Sequence, residues 1–137
     1  MEPTYIGFTG NRQGLTEEQK MEIIKILDQY NNIIVSHGDC IGSDTDFHNL
    51  CIEYKKSNVG KNFEIHIYPP ECDTLRAFNL GDVIYKTKPY LERNKDIVIN
   101  SKIIIGCPID KHCEKIRSGT WSTIRLARKF NKQIHIL

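Results

Sequence analysis

The chain predicts an α/β protein built on an open parallel β-sheet of about five strands with helices on both faces. Three observations carry that expectation. Five short apolar runs recur along the sequence, four amphipathic segments alternate with them, and 137 residues suffice for one core but not two. Strand and helix taken in turn imply right-handed crossovers and parallel pairing.

The strand candidates are residues 5–8, 33–35, 63–67, 103–105 and 134–136. Ile103, Ile104 and Ile105 form a continuous β-branched triplet, the pattern of a strand covered on both faces. Phe63, Ile65 and Ile67 alternate with Glu64 and His66, which suits a strand nearer an edge. The first helix opens on Thr16-Glu17-Glu18-Gln19, a capping box, and sets Ile23, Leu27 and Tyr30 on one face. The second begins near Ser43, with Phe47, Leu50, Cys51 and Tyr54 at helical spacing. The third spans residues 90–100. The fourth runs from near Gly119 to near Asn131 with Ile124, Ala127 and Phe130 as its buried stripe. Residues 69–89 break the alternation. They read as an irregular stretch with a short helix around 74–78, serving as a lid or an oligomer contact.

Composition excludes several classes. Apolar residues make up 39% and charged residues 26%, a globular mixture rather than a disordered one. No apolar run reaches the roughly 18 residues that cross a bilayer, and the first residues lack the order of a signal peptide. Nineteen basic against 17 acidic residues leave a net charge of +2, too little for a general nucleic-acid coat. The five cysteines (Cys40, Cys51, Cys72, Cys107, Cys113) are odd in number and contain no CxxC, which argues against a disulfide framework and for a reducing, cytoplasmic compartment. His112 beside Cys113 is the nearest approach to ligand spacing, and adjacent residues rarely both ligate, so no metal is expected.

In an open parallel sheet, ligands sit beyond the strand C-termini where strand order reverses. Three unusual segments leave such ends. In Thr9-Gly10-Asn11-Arg12-Gln13-Gly14, the glycines permit a close turn and Arg12 offers a fork of donors to a phosphate or carboxylate; a plain glycine turn with a surface arginine fits equally. In His37-Gly38-Asp39-Cys40-Ile41-Gly42-Ser43-Asp44, glycines precede a helix whose free amides suit an anion. Ser43 as a cap and Asp44 on the helix dipole explain part of this segment but not the glycines beside His37 and Asp39. Asp44 and His48 share a helical face and could pair. In Arg117-Ser118-Gly119-Thr120-Trp121-Ser122-Thr123, small residues at a helix start form a compact phosphate cradle, with Trp121 read as core rather than as a stacking platform. A fourth, weaker signal is Tyr90-Leu91-Glu92-Arg93-Asn94, which reads either as a polar cluster on the same rim or as a solvated helical turn.

In order, Gly7-Phe8-Thr9-Gly10-Asn11-Arg12, the segment from His37 to Asp44 with His48, Tyr68-Pro69-Pro70, Leu91-Glu92-Arg93-Asn94 and Arg117-Ser118-Gly119-Thr120-Trp121 resemble the SLOG superfamily. It groups the DNA-processing Smf/DprA proteins with the Lonely Guy phosphoribohydrolases, and the match runs from Ile6 to Ile136. The resemblance implies a single Rossmann-like domain, self-association, and a nucleotide or nucleotide-derived ligand such as an NAD-derived signal, with no resident cofactor. Gly38, Gly42 and Asp44 fall in its glycine loop, Arg93 and Asn94 in its Arg-Asn motif, Gly119 and Thr120 in its Gly-Thr loop. Lonely Guy enzymes carry Gly-Thr-x-x-Glu, and here Thr123 stands where that glutamate belongs.

Three functions follow. The first is a nucleotide-binding module holding phosphate with Arg12, Ser118, Gly119 and Thr120, and a ribose hydroxyl with Asp44. The second is a hydrolase or transferase acting on a nucleotide's N-glycosidic bond, with Arg93 and Glu92 as the leading pair and Asp44 or Asp39 as a spare carboxylate. The third, disfavoured by charge, is single-stranded DNA binding on a small basic face of Lys86, Lys88, Arg93 and Lys95.

Overall fold

The computed structural model describes residues 2–137. Six strands form one all-parallel sheet: β1 (Thr4–Gly10), β2 (Asn32–His37), β3 (Asn62–Ile67), β4 (Val83–Ile84), β5 (Ile103–Cys107) and β6 (Gln133–Ile136). Their order is β4-β3-β2-β1-β5-β6. Helices α1 (Glu17–Leu27), α2 (Ser43–Ser57), α3 (Tyr90–Ile99) and α4 (Gly119–Lys129) complete the α/β alternation. The five expected strands are present, and β4 is a sixth. It lies inside the stretch read as irregular, where Val83 and Ile84 pair with His66 and Ile67. Two residues carry no measurable period, so the sequence pattern could not reveal it. The short helix expected around 74–78 is a single 3-10 turn, Asp73–Leu75.

Local chemistry accounts for the helix starts. The capping box forms, with the Gln19 amide donating to Thr16 Oγ1 at 3.1 Å and the Thr16 amide to Gln19 Oε1 at 2.9 Å. Helix α2 starts where expected but is not capped by Ser43. Its cap is Gly42, and Ser43 is the first helical residue. Ser118 caps α4 by accepting from the Trp121 amide. The α4 stripe ends at Ala127, because Phe130 lies beyond the helix and is 38% exposed.

Alternation divides the core in two. Ile6, Phe8, Ile33, Val35, Ile65, Ile67, Ile103 and Ile105 face α1 and α2, meeting Ile23, Leu27, Phe47 and Cys51. Phe8 and Phe47 stack with ring centres 4.3 Å apart. On the other face, Ile97 and Val98 of α3 and Ala127 of α4 pack with Ile104. The principal sheet contacts of α3 and α4 are with β1, β5 and β6. The second faces of β2 and β3 are therefore left largely without a helix. That is why β3 alternates apolar and polar residues although it is not an edge strand.

Topology places the site. The chain steps from β1 to β2, β3 and β4 in one direction, then α3 returns it to β5 on the far side of β1. Strand order reverses between β1 and β5, so a crevice opens beyond their C-terminal ends.

Candidate functional site

A cleft of about 460 Å³ occupies that switch point. It is lined by the loop after β1 (Gly10, Asn11, Arg12), the loop after β2 (Gly38, Cys40, Ile41, Asp44), the start of α3 (Tyr90, Arg93, Asn94), the loop after β5 (Ile109, Asp110, Cys113, Lys115, Arg117) and the start of α4 (Ser118, Gly119, Thr120, Trp121, Thr123). Sequence segments more than 80 residues apart thus meet on one rim, as the Asn11 amide bonding the Cys107 carbonyl at 3.0 Å illustrates.

Five predicted residues, His37, Asp39, Gly42, Ser43 and Glu92, lie away from the cleft wall. His37 is fully buried beneath it, and its Nε2 lies 2.9 Å from His48 Nδ1. The Asp39 amide donates to His37 Nδ1 at 2.9 Å, so Nε2 must carry the proton and donate to His48. Burial, with His48 and Arg93 nearby, lowers the His37 pKa to about 3. Burial also lowers that of His48. The Asp44–His48 pair expected from spacing does not form. Asp44 instead accepts from the Cys40 amide at 3.1 Å.

Asp39 is structural in its contacts. It is buried at φ +56°, accepts from the Asn79 amide at 3.0 Å and Asn79 Nδ2 at 3.1 Å, and pairs with Arg76 Nε at 3.4 Å. Its carbonyl takes the Ala77 amide at 2.8 Å. These bonds clamp residues 76–79 against the loop after β2. No residue of 69–89 lines the cleft, so the segment braces one wall and does not cover the opening. Gly42 and Ser43 form the seam between two loops, with the Ser43 amide donating to Asn11 O at 3.0 Å. The Ser43 hydroxyl is buried without a partner among the described residues. Glu92 is exposed and off the cleft, so the expected Glu92–Arg93 pair is not assembled there.

Arg93 is the buried cation of the floor, 5% exposed. Nη1 donates to the carbonyls of Gly38 and of Tyr68, the latter at 3.1 Å, and Nε donates to Asn94 Oδ1 at 2.8 Å. Gly38 permits this. A Cβ there would stand 2.6 Å from Arg93 Cζ. Gly38→Ala is expected to push the guanidinium out of the floor and to cost about 3 kcal/mol, as breaking a buried charge's partners does. Urea denaturation checks it, and an unchanged midpoint would contradict the role given to Gly38.

Asp44 is the buried carboxyl of the wall. Burial pushes its pKa up to about 6, against the opposing pull of Arg93 and the Cys40 amide. Burial, then Asp44, raise the Cys40 thiol, which keeps it protonated and unreactive.

The rim is cationic. Arg12 and Arg117 are exposed, as is Lys115, and none of the three has a side-chain hydrogen bond or salt bridge among the described residues. Glu114 accepts from Arg125 Nη1 at 3.2 Å and Arg128 Nη1 at 2.9 Å, and Arg125 Nη2 donates to the Ile116 carbonyl at 2.9 Å. Two arginines of α4 thereby strap down the loop that carries Lys115 and Arg117. Gly119 and Thr120 head α4, where first-turn amides lack intrahelical acceptors. A Cβ on Gly119 would meet nothing within 4 Å, so the cleft is open at that amide. Thr123 Oγ1 donates to the Gly119 carbonyl at 3.0 Å.

Sequence reasoning gave no cleft role of their own to Tyr90, whose hydroxyl is buried without a hydrogen-bond partner among the described residues, or to Lys115, Asp110 and Cys113. Only Lys115 left a usable signal, as a cation just upstream of the Ser-Gly-Thr helix start. Trp121 is buried, in keeping with its reading as core, and its side also forms part of the cleft wall. The basic face suggested for DNA does not assemble, since Arg93 is buried and Lys88 is bound to Asp96 at 2.7 Å. No protein-family model and no curated protein matches this chain.

Proposed function

We propose that the chain is a nucleotide-binding module that holds a nucleotide, or a nucleotide-derived anion, in the switch-point cleft as a sensor or sequestering protein. One observation carries the reading. Arg12, Lys115 and Arg117 converge on the opening at the head of α4 with no side-chain hydrogen bond or salt bridge among the described residues. Helix-head amides and unpaired cations together favour a phosphate. With Arg93 they make four cationic side chains against two carboxylates, Asp44 and Asp110, and Asp44 is half protonated near pH 6. Apolar Ile41, Ile109 and Trp121 supply surface for a flat base beside the charged end.

Calorimetric titration with nucleoside mono-, di- and triphosphates and NAD-derived cyclic nucleotides tests this. At least one is expected to bind saturably, with affinity falling as salt rises. Heats indistinguishable from dilution across the panel would contradict it.

A second reading, N-glycosidic hydrolysis or transfer, draws support from the Asp44 carboxyl, which exchanges a proton near neutral pH inside the cleft. Glu92 has no part in it. Incubation with nucleoside monophosphates should then release free base in wild type and not in Asp44→Asn.

A further inference from the structure

The largely uncovered half of the sheet carries a second, smaller cavity of about 310 Å³, at the low end of the roughly 300–1,000 Å³ typical of small-ligand sites. Its floor comes from adjacent parallel strands. Ser36 on β2 stands in register with His66 on β3, and Ile34 lies two residues before Ser36. Tyr68 and Tyr85 form an aromatic wall, stacked with ring centres 4.4 Å apart and planes inclined by 21°. Tyr5 and Asn100, at the end of α3, complete the lining.

Two polar groups on this floor make no hydrogen bond among the described residues. His66 Nε2 is buried and has no hydrogen-bond partner among the described residues. Glu64 Oε1 stands 3.7 Å from it, within ion-pair distance but beyond hydrogen-bond reach. His66 Nδ1 is already engaged, 3.0 Å from the Tyr85 hydroxyl. If Tyr85 donates, Nε2 is a free N–H; if Tyr85 accepts, Nε2 is a free lone pair. Either way one valence is left open, and buried polar atoms seldom stay so. The Ser36 hydroxyl, on a residue 7% exposed, makes no hydrogen bond among the described residues, though its oxygen is not itself fully buried.

We propose that this cavity is a binding site for a neutral, flat heteroaromatic molecule of nucleobase size, stacked on the Tyr68–Tyr85 wall with its polar edge on His66 and Ser36. Flatness follows from the Tyr68–Tyr85 stack, because a flat ring can extend it on an outer ring face. A heteroaromatic edge follows from His66 and Ser36, because such an edge presents donors and acceptors side by side. Neutrality follows from the lining, which has no lysine or arginine, and from Glu64 at the rim, which repels phosphate. The cavity and the cationic cleft share no lining residue, so this site stands independently of the function proposed above.

The test is an NMR titration of the whole chain with adenine, following the His66 and tyrosine ring signals. Saturable shifts at His66 and Tyr85 are expected at millimolar adenine or below. Tyr85→Ala, which removes half the wall, and Ser36→Ala, which removes one polar contact without changing shape, are each expected to weaken binding, Tyr85→Ala by about tenfold or more. Adenosine monophosphate is expected to leave the His66 signal in place, because its phosphate meets no cation here. The proposal is overturned if adenine leaves His66 and Tyr85 unmoved. It is equally overturned if both variants titrate as wild type does, or if a high-resolution structure grown with adenine shows ordered water alone on His66 and Ser36.

Discussion

Gly42→Ala is expected to destabilise the protein by about 4 kcal/mol, and to disorder the cationic rim with it. Two costs add. Gly42 caps α2 at φ +90° and ψ −128°, a backbone conformation that L residues rarely adopt and that costs about 1–3 kcal/mol for a residue with a side chain. The new Cβ would also lie 2.5 Å from the Arg12 carbonyl carbon and 2.6 Å from Arg12 Cα. These are main-chain atoms and cannot swing aside, so an overpacking cost of about 1–3 kcal/mol follows. Movement of the Arg12 backbone breaks the Ser43-to-Asn11 bond that joins the two loops. Urea denaturation reads the stability loss, and the same variant should lose affinity for any ligand of the cleft. A midpoint within experimental error of wild type would mean that the loop seam is not as tight as described. Alanine at Gly119 is the internal control, because open space surrounds that position and no positive φ is required there.

The second large effect is a pair of opposing pH dependences. His37 holds a pKa of about 3 in the fold against 6.5 when free. Between those values the unfolded chain takes a proton that the fold refuses, so stability is lost as pH falls through that window. Asp44 has the opposite sign. Its pKa is about 6 in the fold against 3.8 when free, so between those values the fold takes the proton first and stability is gained as pH falls. Each group contributes about 1.4 kcal/mol per pH unit inside its window. The two offset each other where the windows overlap, and His48, also lowered by burial, tips the balance toward loss in acid. Asp44→Asn mimics the protonated acid and removes the offset. Its stability should fall steeply from pH 6 to pH 4, by about 2–3 kcal/mol more than wild type, while at pH 7 it should exceed wild type. His37→Gln removes the main acid-sensitive group and should decline less on acidification. Urea midpoints at successive pH values decide it, and three parallel profiles would contradict the burial of both groups.

The particular residues show what could be read beforehand. Period and capping were enough for β5 and α1, because Ile103 to Ile105 and the Thr16–Gln19 box are local signals. Glycine turns before helices located Gly10, Gly38 and Gly119 on one rim, because the ends of parallel strands lie together once the crossovers share a hand. Two kinds of feature stayed hidden. One is partner choice between distant residues. Spacing put Asp44 and His48 on one face, whereas packing gave His48 to His37 and Asp44 to the Cys40 amide. The other is the second use of a polar residue. Asp39 looked like a ligand group beside glycines, but its carboxylate is spent on Arg76 and Asn79, which no local pattern ties to it. Strand order was hidden too, so the place of the loop after β5, with Lys115 and Arg117, could not be fixed beside β1.

Trp121 is the chain's single tryptophan and stands in the cleft wall, which makes its fluorescence a direct report on the central claim. Titration with adenosine monophosphate and with adenosine isolates the phosphate. The account predicts a saturable change with the monophosphate, at least about tenfold weaker binding of adenosine, and loss of that preference in an Arg12→Ala, Arg117→Ala double variant that unfolds like wild type. Equal affinities for the two compounds, or a preference that survives both substitutions, would contradict a cleft built for an anion.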